Sequence, residues 1–289
     1  MVSSLTGGLL MITDMLSSLP PSERKLAQYI LDHPHDAIQF TAHELGERSS
    51  TSSAAVIRLC KSLGLKGFQE LKIRIAGDLH RPMEDRYRDI QPQETHSSVL
   101  SKMTTNSVQA IKETAEIINM NDLSKAVEAL SQAKNIHFFG VGASGIIAQD
   151  AQLKFLRIHK KAMTFSDIHL AAMMVANVSE DDVVMGISDS GETIEVIEIL
   201  DLAKKRGATT ISLTSYGSSP VAEKAEIKLF TSSSTEATFR SGATSSRLAQ
   251  LHVIDVLFMC VATQQYDETI KHLDQTRQSI LSHRIGYGK

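Results

Sequence analysis

The run Asp182-Val183-Val184-Met185-Gly186-Ile187 leads directly into Ser188-Asp189-Ser190-Gly191-Glu192-Thr193. The first six residues form a short apolar stretch that predicts a buried strand. Ile194 to Ala203 carries its apolar residues at helical spacing. Three hydroxyls and a glycine therefore fall on a strand-to-helix turn. Backbone N–H groups at a helix start and the helix dipole both favour an anion there, and hydroxyls add donors without adding charge. This chemistry suits a phosphate.

Other short apolar runs surround this one, at Ile136–Phe139, Ala162–Phe165, Thr210–Leu213 and Ile227–Phe230, and the stretches between them are long enough for helices. Alternating strand and helix predicts an α/β fold, a five-stranded parallel sheet flanked by helices. Ligands of such sheets bind beyond the carboxyl ends of the strands. At the end of the first run, Gly140, Gly142 and Gly145 match the glycine fingerprint of dinucleotide folds, and Asp167 stands where a ribose-binding acid would stand. Against that reading, Ser144 opens the next helix facing the anion position, and Thr214-Ser215 provides a third hydroxyl turn. Three hydroxyl turns at one sheet edge describe a polar site sized for a single sugar phosphate. Its expected members are Gly142, Ala143, Ser144, Ser188, Ser190, Gly191, Thr193 and Glu236. Glu236, which lies before a long helix at Thr244–Thr263, would accept sugar hydroxyls, with Arg240 near it as a partner for an acid.

The first quarter of the chain differs. It is helical in period from about Leu5 to His80, with a helix at Arg24–Asp32 opened by Pro20-Pro21-Ser22-Glu23 and closed by Pro34. Thr41 can cap a short helix, Ala42–Arg48, with Glu44 at the capping-box position. Ser49-Ser50-Thr51 then makes a turn into a second helix, Ala54–Leu63, ended by Gly64. Leu45, Val56, Leu59 and Leu63 would lock the two. Helix, tight turn, helix is a DNA-reading pattern in which the start of the second helix meets the bases. Between Arg48 and Arg88 nine basic residues face four acids, a local excess of five in a chain of net charge −3. That bias fits phosphate-backbone binding. The expected DNA contacts are Thr51, Ser52, Ser53, Ala54 and Ala55, small enough for close approach, with Arg58 and Lys61 one turn later. A plain helical bundle with a basic face would share this spacing.

The remaining composition narrows the class. Hydrophobic residues make up 42% and charged residues 22% of 289, as in a soluble globular protein. Cys60 and Cys260 lie far apart, with neither metal spacing nor a disulfide framework, as suits a reducing cytoplasm. Cys60 reads as a packing residue. Met1–Met15 carries Asp14 and no basic start, so it is not expected to be a signal peptide, and His252 and Asp255 interrupt the one long apolar helix. The eleven histidines show no ligand spacing, and His159 and His169 read as surface or satisfied polar residues. No serine is linked to a histidine in the manner of a hydrolase. No metal site, cofactor or catalytic residue is expected.

With both halves in place, the chain resembles the RpiR family of transcriptional regulators. The carrying residues are Ser22-Glu23-Arg24-Lys25-Leu26-Ala27, Ala54 through Gly64, and Gly67-Phe68-Gln69-Glu70-Leu71-Lys72. The second half adds Gly140 through Ser144, Ile187 through Thr193, and Ser246-Arg247-Leu248-Ala249-Gln250-Leu251. Within the family it most resembles MurR-type members associated with N-acetylmuramic acid 6-phosphate. The resemblance implies a helix-turn-helix domain (5–82), a linker (83–104) and a SIS, or sugar isomerase, domain (105–282). It implies a cytoplasmic homodimer or homotetramer that binds operator DNA, with no membrane association, and whose DNA affinity changes when a phosphosugar enters the SIS domain. Ser144, Ser188, Ser190 and Thr193 match its phosphate-holding positions. Asp189 departs from the family pattern, and a carboxylate there repels a phosphate unless it turns away or meets a hydroxyl. Two other readings stay open: a SIS-fold isomerase or lyase using Glu192 or Glu236 as a base, and a redox regulator reading NAD.

Overall fold

The computed structural model describes residues 7–79, 90–232, 244–264 and 266–285. The chain divides into two compact units. The first holds the residues up to Ile118 together with Tyr216–Ser218 and Phe230–Ser246, and the second holds the rest.

In the first unit the helices are α1 (Gly8–Met15), α2 (Pro21–Asp32), α3 (Pro34–Ala37), α4 (Ala42–Arg48), α5 (Ser53–Ser62), α6 (Phe68–Leu79) and α7 (His96–Ile117). Met11, Ile12, Leu19, Leu26, Ile30, Leu45, Val56, Leu59, Leu63, Leu71 and Ile75 make its core. Leu45, Val56, Leu59 and Leu63 are fully buried, in the locking role their spacing suggested. Helix α1 starts on the far end of α6, where the Asp78 carboxylate accepts from the amides of Gly7 and Leu9 at 2.6 and 2.8 Å. A carboxylate at a helix N-terminus satisfies open donors and complements the dipole. Helix α7 is capped by Thr95, whose hydroxyl accepts from the Ser98 amide. It begins inside the stretch expected as linker and clusters with the first unit. Tyr216 also belongs to this unit. Its hydroxyl donates to the Leu63 carbonyl at 2.6 Å, and its ring meets Phe230 edge-on. Burial pushes the phenol well above its ordinary range.

The second unit opens with α8 (Met120–Gln132) and then alternates: β1 (Asn135–Gly140), α9 (Ala143–Arg157), β2 (Ala162–Thr164), α10 (Ile168–Val175), β3 (Asp182–Ile187), α11 (Ile194–Lys205), β4 (Thr209–Ser215), α12 (Pro220–Lys224), β5 (Ile227–Thr231), α13 (Ser245–Gln264) and α14 (Tyr266–Ile285). The strands lie in the order β2-β1-β3-β4-β5, and β1, β2, β3 and β4 pair in parallel. Bonds from Glu226 to Thr210 and from Tyr216 to Thr231 rise together along both chains, so β5 is parallel as well. The five apolar runs became the five strands, within two residues at each end. The strand order reverses between β1 and β3. Helices leaving that pair diverge, which opens a crevice at their carboxyl ends. Helix α13 has the length and the mean hydropathy (1.3) of a membrane span. Ala249, Val253, Ile254 and Leu257 are nevertheless buried, and Phe258 meets Phe155 of α9. It is a core helix of this unit.

Candidate functional site

The chain presents two candidate sites, one in each unit. In the first, α4 opens with a complete capping box. The Thr41 amide donates to Glu44 Oε2 at 2.7 Å, and the Glu44 amide donates to Thr41 Oγ1 at 3.3 Å. The Thr41 amide, and the Thr41 hydroxyl that donates to the same oxygen at 2.8 Å, hold the Glu44 carboxyl below its usual range. After α4 the chain reverses through Ser49, Ser50 and Thr51. Ser50 sits at φ 51°, and the Thr51 amide returns to the Gly46 carbonyl at 2.7 Å. Ser52 then caps α5 by accepting from the Ala55 amide. The approach of the two helices is tight. A Cβ on Gly46 would lie 2.8 Å from the Ser52 carbonyl carbon.

Helix α5 turns Ser53, Ala54, Ile57, Arg58 and Lys61 to water, with Ser52 just before them and Thr51 half-buried. Ala55 does not join them: it is 1% exposed, packed into the core on the opposite face, so no base can reach its side chain. Ile57, 44% exposed, was missing from the sequence-based set. An apolar residue inside a helical period reads as core, yet this one lies on the open face. Arg58 is tethered, its Nε 3.5 Å from the buried Glu23 carboxylate, which also accepts from Ser62 Oγ at 2.7 Å. The local basic excess is partly spent inside the unit. Lys72 donates to the Phe40 carbonyl, Arg74 pairs with Glu70, and Arg48 lies over the Phe40 ring. Arg81, Arg86 and Arg88 lie outside the described residues. Cys60 is buried, which pushes its thiol up to about 11, as fits a packing residue and not a redox sensor.

The second site is the carboxyl edge of β1 and β3, whose last residues, Gly140 and Ile187, are register partners. Gly142 turns the chain at φ 58°, and α9 begins at Ala143 with Ser144 in its first turn, 7% exposed. From Ile187 the chain enters a closed loop. Ser188 Oγ lies 2.8 Å from Thr193 Oγ1 and accepts from the Gly191 amide at 3.1 Å, and Ser190 Oγ accepts from the Glu192 amide. Gly191 sits at φ 68°, and a Cβ there would lie 2.3 Å from Ser219 Oγ, so the loop rests on the start of α12. These bonds preset the hydroxyl positions before any ligand arrives.

The helix caps single this edge out. In the second unit α8, α10 and α12 are capped by the side chains of Asn119, Asp167 and Ser219. Helices α9 and α11, which flank the reversal point, have no side-chain cap. Thr193 sits at the N-cap of α11 but spends its hydroxyl on Ser188. Two helix starts without side-chain caps, lined with hydroxyls, suit an anion, although the Ser144, Gly145 and Val196 amides already donate to the Val141, Gly142 and Thr193 carbonyls.

Other expected members take different roles. Thr214 is fully buried, and Ser215 donates to Asp189 Oδ1 at 3.1 Å while its amide donates to the Asp189 carbonyl. The third hydroxyl turn therefore braces the loop, and Asp189 is bonded toward β4. Glu236 and Arg240 lie outside the described residues. The glycine fingerprint also has a packing cause. A Cβ on Gly140 would lie 2.7 Å from the Ser144 carbonyl oxygen, and one on Gly145 would lie 2.9 Å from that of Gly140. Asp167 accepts from the Leu170 amide as the cap of α10, which occupies the acid that a ribose would need. Among the described residues no group of three or more His, Cys, Asp or Glu is placed to hold a metal.

A helix-turn-helix head joined to a doubly wound parallel sheet is the architecture of a DNA-binding regulator. Residues 6–82 match the rpiR-family helix-turn-helix domain, and residues 129–260 match the SIS domain. The HTH-type transcriptional regulator YbbH of Bacillus subtilis is 53% identical over 280 residues, covering 97% of this chain and 99% of the relative. A further HTH-type regulator, from Caldanaerobacter subterraneus, is 44% identical over 281 residues, covering 97% and 99%. Among solved structures, the Vibrio vulnificus NanR protein complexed with ManNAc-6P is similar, with TM-score 0.60, 30% identity, and 95% and 98% coverage. The chain belongs to the RpiR family of HTH-type transcriptional regulators.

Proposed function

We propose that the phosphosugar bound at the β1–β3 edge sets the operator affinity of this regulator, and that the effector is an amino-sugar phosphate such as N-acetylmuramic acid 6-phosphate. The observation that carries this reading is the pair of uncapped helix starts, α9 and α11, beside Ser144, Ser188, Ser190 and Thr193. The NanR relative, complexed with a phosphorylated amino sugar, supports the same ligand class. Thr51, Ser52, Ser53, Ala54, Arg58 and Lys61 are the DNA-contacting set, to which Ile57 is added as an apolar contact for a thymine methyl. Two copies of the head on one homo-oligomer would read two half-sites together. The protein acts in the cytoplasm as a sensor without turnover. A ligand shifts such an equilibrium through unequal affinity for two arrangements of the heads.

A gel-shift titration on the DNA upstream of its own gene, with and without a panel of phosphosugars, tests the reading. One amino-sugar phosphate should move the midpoint, and no panel member should be consumed. The Arg58→Ala protein should lose operator affinity and keep the phosphosugar. Turnover of a panel member would sink the sensor assignment in favour of an isomerase or lyase. A midpoint moved by NADH and by no phosphosugar would sink the effector class.

A further inference from the structure

The two cations on the open face of α5 have different surroundings. Arg58 stands over a buried carboxylate, whereas Lys61 has no acid within ion-pair distance among the described residues. The carboxylate is that of Glu23 on α2, which is 4% exposed. Glu23 holds the third position of its helix, where a Glu often reaches back to the N-cap amide. The N-cap here is Pro20, which has no N–H, so the carboxylate turns to α5 instead. Its Oε2 accepts from Ser62 Oγ at 2.7 Å, and its Oε1 lies 3.5 Å from Arg58 Nε. Arg58 and Ser62 are four residues apart and share one helix face, so the carboxylate bridges them.

A buried carboxylate needs an opposite charge, and among the described residues Arg58 is the only cation within ion-pair distance of it. The pair is made at Nε, on the stem side of the guanidinium. The two Nη groups have no partner among the described residues, and the side chain is 53% exposed, so the outer edge of the fork is left to water. The carboxylate offsets the charge of the guanidinium and so weakens its pull on a phosphate. The planar fork keeps its geometry, which matches a pair of adjacent acceptors. Guanine presents such a pair, O6 and N7, in the major groove. Lys61 is a flexible point charge, which suits a phosphate and carries no base geometry.

We propose that Glu23 fixes Arg58 as the residue of α5 that reads a guanine, and leaves Lys61 to the phosphate backbone. Glu23 touches no DNA in this scheme. It is a positioning residue that acts through Arg58. This inference rests on the reading of α5 as the DNA-contacting helix.

Duplexes that the full chain selects from a random pool supply the probe. Each guanine of the selected site is replaced in turn by adenine, with its partner changed to match, and binding is followed by fluorescence anisotropy at several salt concentrations. At one pair in each half-site the wild type should lose about tenfold. Arg58→Lys keeps a cation beside Glu23 but not the fork, and should bind the guanine and adenine versions of that pair equally. Glu23→Gln keeps an acceptor for Ser62. It should lose most of the discrimination at that pair and retain it at the others, a pattern that mere loosening of the fold would not produce. Lys61→Ala should weaken selected and random duplexes alike and reduce the slope of log affinity against log salt by about one. Wild-type discrimination at every pair by Glu23→Gln, or by Arg58→Lys, would overturn the proposal. If Arg58→Ala and Lys61→Ala both bind the selected site as tightly as the wild type, the reading of α5 as the DNA-contacting helix fails, which is a distinct result.

Discussion

The reading head and the sheet edge use the same residue types in opposite ways. In the head, Thr41 and Ser52 spend their side-chain oxygens on the amides that open α4 and α5. At the sheet edge, the hydroxyls of Ser188 and Thr193 bond each other, and the amides opening α9 and α11 keep no side-chain cap. Capping a helix stabilises it, so under the proposed reading the uncapped starts of α9 and α11 are where stability is given up for binding. The contrast teaches that a Ser or Thr before a helix has no fixed meaning. The partner of its oxygen decides whether it builds the protein or awaits a ligand.

Four substitutions would break or sharpen that contrast. The largest effect is expected in the head. Gly46→Val forces a side chain onto the Ser52 backbone and should cost about 3 kcal/mol of that unit's stability. Operator binding in a gel shift should vanish, and phosphosugar binding by calorimetry should persist. Next, Thr193→Asp installs on α11 the carboxylate cap it lacks. It should raise melting stability by about 0.5–1 kcal/mol while abolishing phosphosugar binding by repulsion. A variant that melts higher and still binds would mean the open amides do not face the anion. Third, Ser188→Ala removes the oxygen shared with Thr193 and Gly191 and should weaken the phosphosugar about 10- to 100-fold, with operator binding unchanged when no ligand is present. The smallest effect is Thr41→Ala, which deletes one half of a capping box. A loss of about 1 kcal/mol in denaturant melts, with phosphosugar affinity unmoved, would place that hydroxyl purely in the architecture.

Much of this was legible in the chain. The apolar runs bounded by Gly, Ser and Asp became the strands, because a buried parallel strand has to be apolar on both faces. The α4–α5 pair was legible through its cap, its turn and its four locking residues, all of them local signals. What could not be read depends on distance in the chain. The Glu23 carboxylate that tethers Arg58 lies 35 residues away from it. The turn of Asp189 toward Ser215 spans 26 residues. Ala55, expected at the DNA, lies in the core because so small a residue declares no face, and Ile57 on the open face was not singled out. Helix α7 was overlooked at its start because His96-Ser97-Ser98 carries no apolar period, and its signal was the single cap at Thr95.

The phenol of Tyr216, bonded to the carbonyl of Leu63 at the end of α5, offers a built-in optical gauge. The chain contains five tyrosines and no tryptophan, so its near-ultraviolet spectrum is almost entirely phenolic. In an alkaline titration this ring should hold its proton after exposed tyrosines have ionised, and release it when the bundle around it melts. The late step in absorbance near 295 nm would then report the integrity of the head in unlabelled protein.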